Sequence, residues 1–183
     1  LDNRGSTNRG RLFEAGLYKR MGSIEVADQV LGLSVLTHEP WADLERVGVF
    51  GHSYGGYMSL MCLCRAGKHF KAGVAVAPVA DWRLYDSHYT ERFMGLPDKD
   101  AEAYAASSVI PHLPNLERPL LLMHGMADDN VLFIHSTMLM SELQQLGKPF
   151  ELMTYPGAKH SMQETHVSIH RFDTILDFFN RTL

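Results

Sequence analysis

The serine at position 53 lies in a glycine-rich turn of the kind that exposes a nucleophile. The run GHSYGG, residues 51–56, follows an apolar segment and opens a helical pattern, which is the context of a G-x-S-x-G nucleophile elbow. We expect the tight turn to exclude side chains at Gly51 and Gly55 and to hold Ser53 strained, with its hydroxyl exposed. The Tyr54 N–H would then lie at a helix N-terminus, where it can bind an oxyanion. The alternative is an ordinary strand-to-helix turn in which Ser53 only caps the helix.

Two further residue types complete the chemistry that a serine nucleophile needs. A base must lie within hydrogen-bond reach of the hydroxyl and an acid must orient that base; in α/β hydrolases they follow the serine in the order Asp, then His. In this chain Asp128 and Asp129 follow the third predicted strand, and His160 follows the fourth. His160 is therefore the candidate base. The sequence does not choose between Asp128 and Asp129, because one could orient the base while the other caps the next helix.

The chain holds ten histidines, so His160 has to be weighed against the others. His124 lies at a strand end, where a structural role is expected, and His166 and His170 belong to the final helix or its entrance. A metal site formed by His124, Asp128 and His160 is a weaker alternative, because the spacing matches no zinc motif and would leave the serine without a role. The sequence therefore favours a serine, aspartate and histidine triad with no metal.

Four short apolar runs predict the sheet that positions these residues. They alternate with longer helical patterns, as in a parallel sheet with crossover helices, and their continuous hydrophobicity suits strands that are covered on both faces. We therefore predict an α/β fold with a mostly parallel sheet and helices on both faces, and the elbow motif after its first strand is that of an α/β-hydrolase fold. The chain opens with a run of turn composition and no strand before it, so we expect residues 1–183 to hold the C-terminal part of such a sheet, with its upstream strands outside the chain. The predicted strands are Val47–Phe50, Ala72–Ala77, Pro119–Met123 and Phe150–Tyr155.

Apolar spacing and stop signals predict the helices. An almost wholly apolar run predicts a buried helix over Tyr57–Ala66, and leucine spacing followed by Gly147 and Pro149 predicts another over Ile134–Leu146. Ser23 is a candidate N-cap for a helix ahead of the first strand. In the last helix, apolar residues recur every three or four positions and predict one stripe that packs on the sheet: Ile169, Phe172, Leu176, Phe179 and Leu183.

The stretch from Asp81 to Leu116 is too long for a simple connection, and we predict an excursion with its own helices near the strand ends. Within it Trp82, Tyr85, Tyr89 and Phe93 recur at helical intervals, so on a helix they would share one face. Such a stripe is commonly core. The competing interpretation is the wall of a substrate pocket.

Composition and charge exclude several classes of function. Of 183 residues, 45% are hydrophobic and 21% are charged, as expected of one globular domain over residues 1–183. The formal net charge is −4, and without a basic run nucleic acid is not an expected partner. No apolar stretch is long enough to span a bilayer. Cys62 and Cys64 are predicted to be buried free thiols, because residues i and i+2 of a helix point to different faces.

Four sequence runs together resemble one known family. They are GHSYGGYM around Ser53, APVADWRLYDSHYTERFMGLP, HGMADDNV, and TYPGAK before His160. On these runs the chain resembles the catalytic domain of the prolyl oligopeptidase family, specifically its dipeptidyl-peptidase IV branch, over essentially its whole length. The resemblance implies a serine exopeptidase that releases N-terminal X-Pro or X-Ala dipeptides through an acyl-enzyme.

The resemblance also implies roles for individual residues. It makes Ser53 the nucleophile, Asp128 the acid, His160 the base and the Tyr54 N–H an oxyanion donor, and it gives Asn130 a hydrogen bond to a substrate carbonyl. A small apolar pocket for proline or alanine would be formed by Val79, Trp82, Tyr85, Tyr89 and Val131. The aromatic stripe is thus assigned to a pocket by the resemblance and not by its spacing.

The chain departs from the family pattern at two places. The branch usually carries Trp before the serine, where this chain has His52, a position that supports the elbow rather than reacting. The family's N-terminal β-propeller and first hydrolase strands are expected to lie outside residues 1–183, together with a tyrosine of the oxyanion hole and paired glutamates that bind a free amino group. We therefore expect the isolated chain to be poorly active and, with the edge of its first strand unpaired, prone to associate.

Two other functions are compatible with these residues. A related acylaminoacyl-peptidase or esterase would use the same triad, and a non-catalytic interaction domain could keep the fold. The resemblance implies no cofactor and a peptide with a free N-terminus as partner. Because members of this branch often dimerise and are often exported, the resemblance also implies a possible homodimer and a periplasmic or secreted location. Any signal peptide would then precede residue 1.

Overall fold

One parallel sheet organises the computed structural model, which describes residues 2–183. The strands lie side by side in the order β1-β2-β3-β4, and each neighbouring pair is parallel. Each predicted strand is confirmed to within two residues at its ends. Because the carboxyl ends of parallel strands meet at one edge of a sheet, the segments that follow β1, β3 and β4 lie near one another. The strands are β1 (Gly48–His52), β2 (Ala72–Val76), β3 (Leu120–Gly125) and β4 (Glu151–Tyr155).

Helices of very different length connect and flank the strands. The predicted excursion between β2 and β3 is confirmed, because it contains two α-helices and two short 3₁₀ segments of its own. Within residues 2–183, no helix combines the length and apolar character needed to cross a bilayer. The α-helices are α1 (Arg11–Ala15), α2 (Ile24–Val35), α3 (Tyr54–Ala66), α4 (Ser87–Met94), α5 (Ala101–Ser107), α6 (Ile134–Gln145) and α7 (Thr165–Thr182); the 3₁₀ segments are Leu36–His38, Trp82–Leu84 and Ile110–Asn115.

Alternate strand residues pack into two apolar layers, one on each face of the sheet. Ala75 and Leu122 pack with the buried side chains of α3 and α6. Val74 and Leu121 point the other way and pack with α7. The prediction of helices on both faces is confirmed, and it explains why the strand sequences are apolar throughout rather than alternating.

Helix α3 is the most deeply buried helix next to the sheet. Leu60, Met61 and Leu63 are fully buried, as the all-round apolar pattern predicts. The thiols of Cys62 and Cys64 are buried and free, and burial raises the pKa of each to about 12. Both cysteines therefore remain protonated, unreactive core residues.

Helix α7 packs on the sheet through a different stripe from the predicted one. Ile169, Phe172 and Leu176 are exposed, whereas Ile175 and Phe178 are buried against the sheet. Of the predicted stripe, two residues pack partly against this layer: Phe179 and Leu183. The helix carries two adjacent apolar stripes, and spacing alone does not tell which one faces the sheet.

Ser23 occupies the position before α2, but it does not cap the helix. Its backbone is already helical, with φ −106° and ψ −63°, and its side chain makes no capping hydrogen bond. The buried carboxylate of Glu25 instead accepts the N–H of Gly22, with an N–O distance of 3.0 Å. The predicted start of the helix is confirmed and the predicted cap is wrong, because a capping serine needs an extended backbone to turn its hydroxyl toward the helix.

His135 on α6 is fully buried and is expected to make the stability of the fold depend on pH. Its Nδ1 accepts the N–H of Ala80 at 3.1 Å, and burial lowers its pKa to about 4. An unfolded histidine titrates near pH ~6.5, so below that pH the unfolded chain binds a proton that the folded chain refuses. The free energy of unfolding should therefore fall by about 3 kcal/mol as the pH drops from ~6.5 to ~4.

The test uses His135→Asn, whose side-chain oxygen can still accept the Ala80 N–H. Chemical unfolding of parent and variant near neutral pH and at about pH 4.5 should show a shallower loss of stability in the variant, although its absolute stability will be lower. His38→Asn, at an exposed histidine, is the matched control and should keep the parent's pH dependence. Equal pH dependence in the parent and in His135→Asn would contradict the prediction.

Candidate active site

Ser53 alone forms the turn between β1 and α3. Its φ of 61° and ψ of −119° lie outside the regions that ordinary residues prefer. The backbone is held by two hydrogen bonds: the Ser53 N–H donates to the carbonyl of Val76 at 2.8 Å, and the N–H of Tyr57 donates to the Ser53 carbonyl at 3.0 Å. The side chain makes no capping hydrogen bond to α3. The structure therefore supports a strained elbow rather than a capping serine.

Glycines allow the close approach of backbone segments around this elbow. A Cβ on Gly51 would lie 2.3 Å from the carbonyl oxygen of Gly55, so a side chain there is excluded as predicted. The matching prediction for Gly55 is wrong, because a Cβ there would meet no atom within 4 Å. The second excluded side chain is at Gly56, where a Cβ would lie 2.6 Å from the carbonyl oxygen of Val76. Gly51 therefore lies against the main chain of Gly55, and Gly56 is the residue at which α3 contacts the main chain of β2.

Asp128 and His160 come together although 32 positions separate them. Asp128 follows β3 and its side chain is fully buried, while His160 lies in the loop between β4 and α7 and its side chain is 16% exposed. The Nδ1–H of His160 donates to Oδ2 of Asp128 at 2.7 Å, which leaves Nε2 with its lone pair. Within residues 2–183 no hydrogen bond yet joins this ring to the Ser53 hydroxyl; such bonds are commonly long before substrate binds.

Four N–H donors fix the carboxylate of Asp128. Oδ1 accepts the backbone N–H groups of Asn130 at 2.9 Å and Val131 at 3.0 Å. Oδ2 accepts from His160 and, at 3.1 Å, from Nε2 of His124. Each oxygen therefore has two partners, and the side chain can hardly rotate without breaking hydrogen bonds in a dry environment.

His124 is a positioning residue in this arrangement. It is fully buried; its Nδ1 accepts the hydroxyl of Ser136 at 2.6 Å, and its Nε2–H is shared between Asp128 and the carbonyl of Val131 at 2.9 Å. Burial lowers the pKa of His124, so the ring stays neutral, with one nitrogen donating and the other accepting. The expected structural role is correct, but the sequence did not indicate that the ring contacts the acid.

The alternative metal site uses residues that do meet in space. His124 and His160 both approach a single oxygen, Oδ2 of Asp128, at hydrogen-bond distances. Within residues 2–183, no group of three or more His, Cys, Asp or Glu side chains is arranged to hold a metal ion. The observed arrangement is thus a hydrogen-bonded chain of imidazole, carboxylate and imidazole.

The structure separates the two aspartates between which the sequence could not choose. Asp129 is exposed and accepts a hydrogen bond from Nζ of Lys159 at 2.7 Å, and this contact lowers the pKa of Asp129. Neither carboxylate caps α6, which begins at Ile134 without a side-chain cap. Asp128 is brought to His160, and Asp129 is not.

The predicted aromatic stripe forms a cluster, but not on one helix. Trp82 lies in a 3₁₀ segment, Tyr85 is extended, and only Tyr89 and Phe93 lie on α4. The interruption has a local cause, because the Asp86 side chain accepts the N–H of Tyr89 and starts a new helix there. The prediction of a single helix face is therefore wrong, whereas the prediction that the rings lie together is correct.

Contacts between rings join this cluster to the elbow. Trp82 is buried, stacks on Tyr89 with ring centroids 6.0 Å apart, and meets Tyr85 edge-on at 5.9 Å. The ring of Tyr54 approaches Trp82 at 5.7 Å. The two remaining pocket candidates, Val79 and Val131, are buried in the same apolar cluster.

Asn130 links the aromatic cluster to the turn that carries the acid. Its side-chain oxygen accepts the hydroxyl of Tyr85 at 2.9 Å, and its backbone N–H donates to Asp128. With the oxygen engaged by Tyr85, the amide NH₂ of Asn130 is free to donate elsewhere.

Two contacts near the elbow were not found by sequence reasoning. The hydroxyl of Tyr54 donates to the carboxylate of Glu25, which is buried on α2, and burial raises the pKa of Tyr54. His52 contacts His160 directly. The signals were weak: an acidic residue among the apolar positions of α2, and a histidine directly before the serine.

The parallel sheet is covered on both faces, a strained serine lies between strand and helix, and an Asp–His pair lies on later loops. These features define an α/β-hydrolase fold. The sequence profile described as "Prolyl oligopeptidase family" matches residues 1–183. The chain therefore belongs to the prolyl oligopeptidase family of peptidases.

Individual relatives are dipeptidyl peptidases. The chain is 42% identical over 187 residues to dipeptidyl peptidase 8 of Mus musculus, a match that covers 100% of this chain and 21% of that protein. It is 38% identical over 184 residues to the inactive dipeptidyl peptidase 10 of Mus musculus, covering 100% and 23%. The crystal structure of Porphyromonas gingivalis dipeptidyl peptidase 4 superimposes with a TM-score of 0.94 at 39% identity, covering 100% and 26%. The chain thus spans about a fifth to a quarter of the length of these relatives.

Substitution of the two neighbouring aspartates tests which one acts with His160. Asp128→Asn should lower kcat/KM of the full-length gene product by about 10⁴-fold, because an amide in this network disturbs the orientation and tautomer of the base. Asp129→Asn should change it by less than about threefold, because it loses only an exposed ion pair. The measurement is hydrolysis of an Ala-Pro-anilide. A collapse from Asp129→Asn, with Asp128→Asn nearly active, would reverse the assignment.

Proposed function

We propose that Ser53, His160 and Asp128 form the catalytic triad of a serine peptidase that releases N-terminal X-Pro or X-Ala dipeptides. The observation that carries the proposal is the hydrogen bond from His160 to the buried Asp128, at the same sheet edge as the strained Ser53. A free lone pair on Nε2 of His160 is what a serine hydroxyl needs as a proton acceptor.

The reaction begins with attack on the carbonyl group of the second residue of the substrate. The Ser53 oxygen forms a bond to the carbonyl carbon while its proton passes to Nε2 of His160. The resulting imidazolium is stabilised by Asp128, whose carboxylate accepts the hydrogen bond from Nδ1–H and stays ionised. The developing oxyanion accepts the N–H of Tyr54, the first residue of α3, where the helix dipole also favours negative charge.

Collapse of the tetrahedral intermediate breaks the peptide C–N bond. The proton on His160 passes to the departing amine, and the dipeptide remains as an ester on Ser53. A water molecule then attacks the ester as His160 takes its proton. The ester C–O bond then breaks and the proton on His160 passes to the Ser53 oxygen, so the dipeptide leaves as an acid and the Ser53 hydroxyl is restored without a redox partner.

The aromatic cluster favours a flat, short residue at the cleaved position. Trp82 packs against Tyr85 and Tyr89 and also contacts the ring of the elbow residue Tyr54. Two buried valines, Val79 and Val131, belong to the same apolar cluster. A slot between these side chains would hold a proline ring with little loss of conformational entropy, and alanine would fill it incompletely. Larger or charged residues would clash or bury an unpaired charge.

Asn130 is suited to hold the substrate's preceding carbonyl. The Tyr85 hydroxyl occupies its side-chain oxygen, which directs the amide NH₂ toward an acceptor rather than a donor. Because Asn130 lies in the turn that binds Asp128, this contact would align the scissile bond with the triad.

The second candidate is a non-catalytic domain, since one relative is named an inactive dipeptidyl peptidase. Membership of the family therefore does not by itself establish peptidase activity. A fluorophosphonate probe separates the two functions: labelling of Ser53 in the full-length gene product supports the peptidase, and no labelling supports the non-catalytic domain. Faster cleavage of acetyl-Ala-anilide than of Ala-Pro-anilide would favour an acylaminoacyl-peptidase or esterase.

The slot predicts a graded preference among dipeptide anilides. Ala-Pro-anilide should be cleaved with the highest kcat/KM and Ala-Ala-anilide more slowly, because a few missing methylenes change discrimination by about 1–3 kcal/mol each at most. Ala-Leu-anilide should be a very poor substrate. If the full-length gene product cleaves Ala-Leu-anilide as well as Ala-Pro-anilide, the aromatic cluster is core and the pocket lies elsewhere.

Two substitutions at Tyr85 separate its ring from its hydroxyl. Tyr85→Phe keeps the wall of the slot but removes the hydrogen bond that orients the Asn130 amide, so kcat/KM should fall for Pro and Ala substrates alike. Tyr85→Ala should in addition reduce the preference for Pro over Ala, because the wall is lost. Tyr18→Ala, which removes an exposed tyrosine, is the matched control and should change neither. An unchanged Pro preference in Tyr85→Ala would remove Tyr85 from the pocket.

A further inference from the structure

His52 makes two contacts with the candidate base. Its Nε2 lies 2.8 Å from the backbone carbonyl oxygen of His160. Its ring lies against the His160 ring, with centroids 4.6 Å apart and an angle of 37° between the planes. A carbonyl oxygen can only accept, so Nε2 of His52 carries the hydrogen and donates it.

These contacts join the strand of the nucleophile to the loop of the base. His52 is the last residue of β1 and directly precedes Ser53, whereas His160 lies 108 positions away in sequence, in the loop after β4. The side chain of His160 is otherwise held by Asp128 at Nδ1. A hydrogen bond at one ring atom leaves rotation about that bond free, and a second ring packed against the imidazole restricts this rotation.

We propose that His52 is a positioning residue that holds the His160 imidazole in place for Ser53, through its N–H bond to the His160 main chain and through ring packing. This inference rests on the proposed function, because it takes His160 as the base. It assigns a role in base positioning to the residue that the sequence linked only to the shape of the elbow.

The charge state of His52 fits this role. The ionisable groups that face it are His160, Asp128 from the turn after β3, and Arg171 from α7. Although part of the His52 side chain is exposed, loss of water around the ring lowers its pKa. The hydrogen bond to the His160 carbonyl and the charge of Asp128 raise this pKa in part, and His160 and Arg171 lower it. A lowered pKa favours the neutral ring of His52, which adds no positive charge beside the imidazolium proposed to form on His160.

Three substitutions separate the hydrogen bond from the ring. His52→Phe keeps an aromatic face without the donor, His52→Gln keeps an N–H donor without the ring, and His52→Ala removes both. His38→Ala, at an exposed histidine in a 3₁₀ segment outside the site, is the matched control. All are made in the full-length gene product and measured with Ala-Pro-anilide and with a fluorophosphonate probe, well below the lowest melting temperature among them.

A misplaced base costs turnover rather than substrate binding. We expect His52→Ala to lower kcat by about 10–100-fold with KM changed by less than about threefold, and to slow fluorophosphonate labelling of Ser53 to a similar extent. His52→Phe and His52→Gln should each recover part of the loss, and His38→Ala should match the parent. A merely structural role would lower the melting temperature without this division between kcat and KM.

The outcomes distinguish this inference from the proposed function. If the parent is labelled and active but His52→Ala keeps the parent's kcat, or changes KM instead, the role of His52 is wrong and the peptidase stands. If the parent is neither labelled nor active, the proposed function fails first. Should His52→Ala not fold, the comparison of His52→Phe and His52→Gln with the parent decides, and parental kcat in both would overturn the inference.

Discussion

The strained backbone of Ser53 is the constraint on which the rest of the site depends. A non-glycine residue with a φ of 61° costs about 1–3 kcal/mol and persists only where its surroundings fix it. Here β2 fixes it. His52 pairs with Val76 at the end of β1, and the Val76 carbonyl accepts the Ser53 N–H. Because Gly56 has no side chain, α3 can pack closely against the same carbonyl. The conformation of the elbow is thus imposed by the sheet and the helix that it joins, and the turn residue itself only has to tolerate it.

A second close approach positions Asp128 and His160 relative to this elbow. The segments after β3 and β4 are joined by backbone hydrogen bonds from Met126 to Tyr155 at 3.0 Å and from Ala127 to Ala158 at 3.1 Å. Gly125 permits this contact, because a Cβ there would lie 2.4 Å from the Ala158 carbonyl oxygen. Asp128 therefore follows a turn that is hydrogen-bonded to the segment leading to His160, and its carboxylate accepts hydrogen bonds from both segments.

Sequence reasoning was accurate where one local signal determined the structure, and it failed where two elements had to choose between similar contacts. Apolar runs located the four strands, and the elbow motif located Ser53. The stripe on α7 was misassigned because Ile175 and Phe178 lie beside an equally apolar stripe, and only packing against the sheet selects between them. The single helix proposed for the aromatic residues was wrong because the side chain of Asp86 starts a new helix. The partner of His52 lies 108 positions away, which spacing does not encode. The partners of His124 are close in sequence, but the contact forms only because the turn after β3 folds back onto the ring.

The residues that would recognise the substrate and those that would move its proton belong to one hydrogen-bonded unit. In the aromatic cluster, the Tyr85 hydroxyl donates to the side-chain oxygen of Asn130. The backbone N–H of Asn130 donates to Asp128, and His160 donates to the same carboxylate. Each of these residues is held by a hydrogen bond to the next, at donor–acceptor distances below about 3 Å. Because the energy of a hydrogen bond drops steeply when its angle is distorted, a substitution at one residue disturbs the position of the others. A relative that is similar over the whole of this chain is named an inactive dipeptidyl peptidase, so the sheet can be kept while catalysis is lost. Catalysis therefore depends on the intact hydrogen-bonded unit and not on the sheet alone.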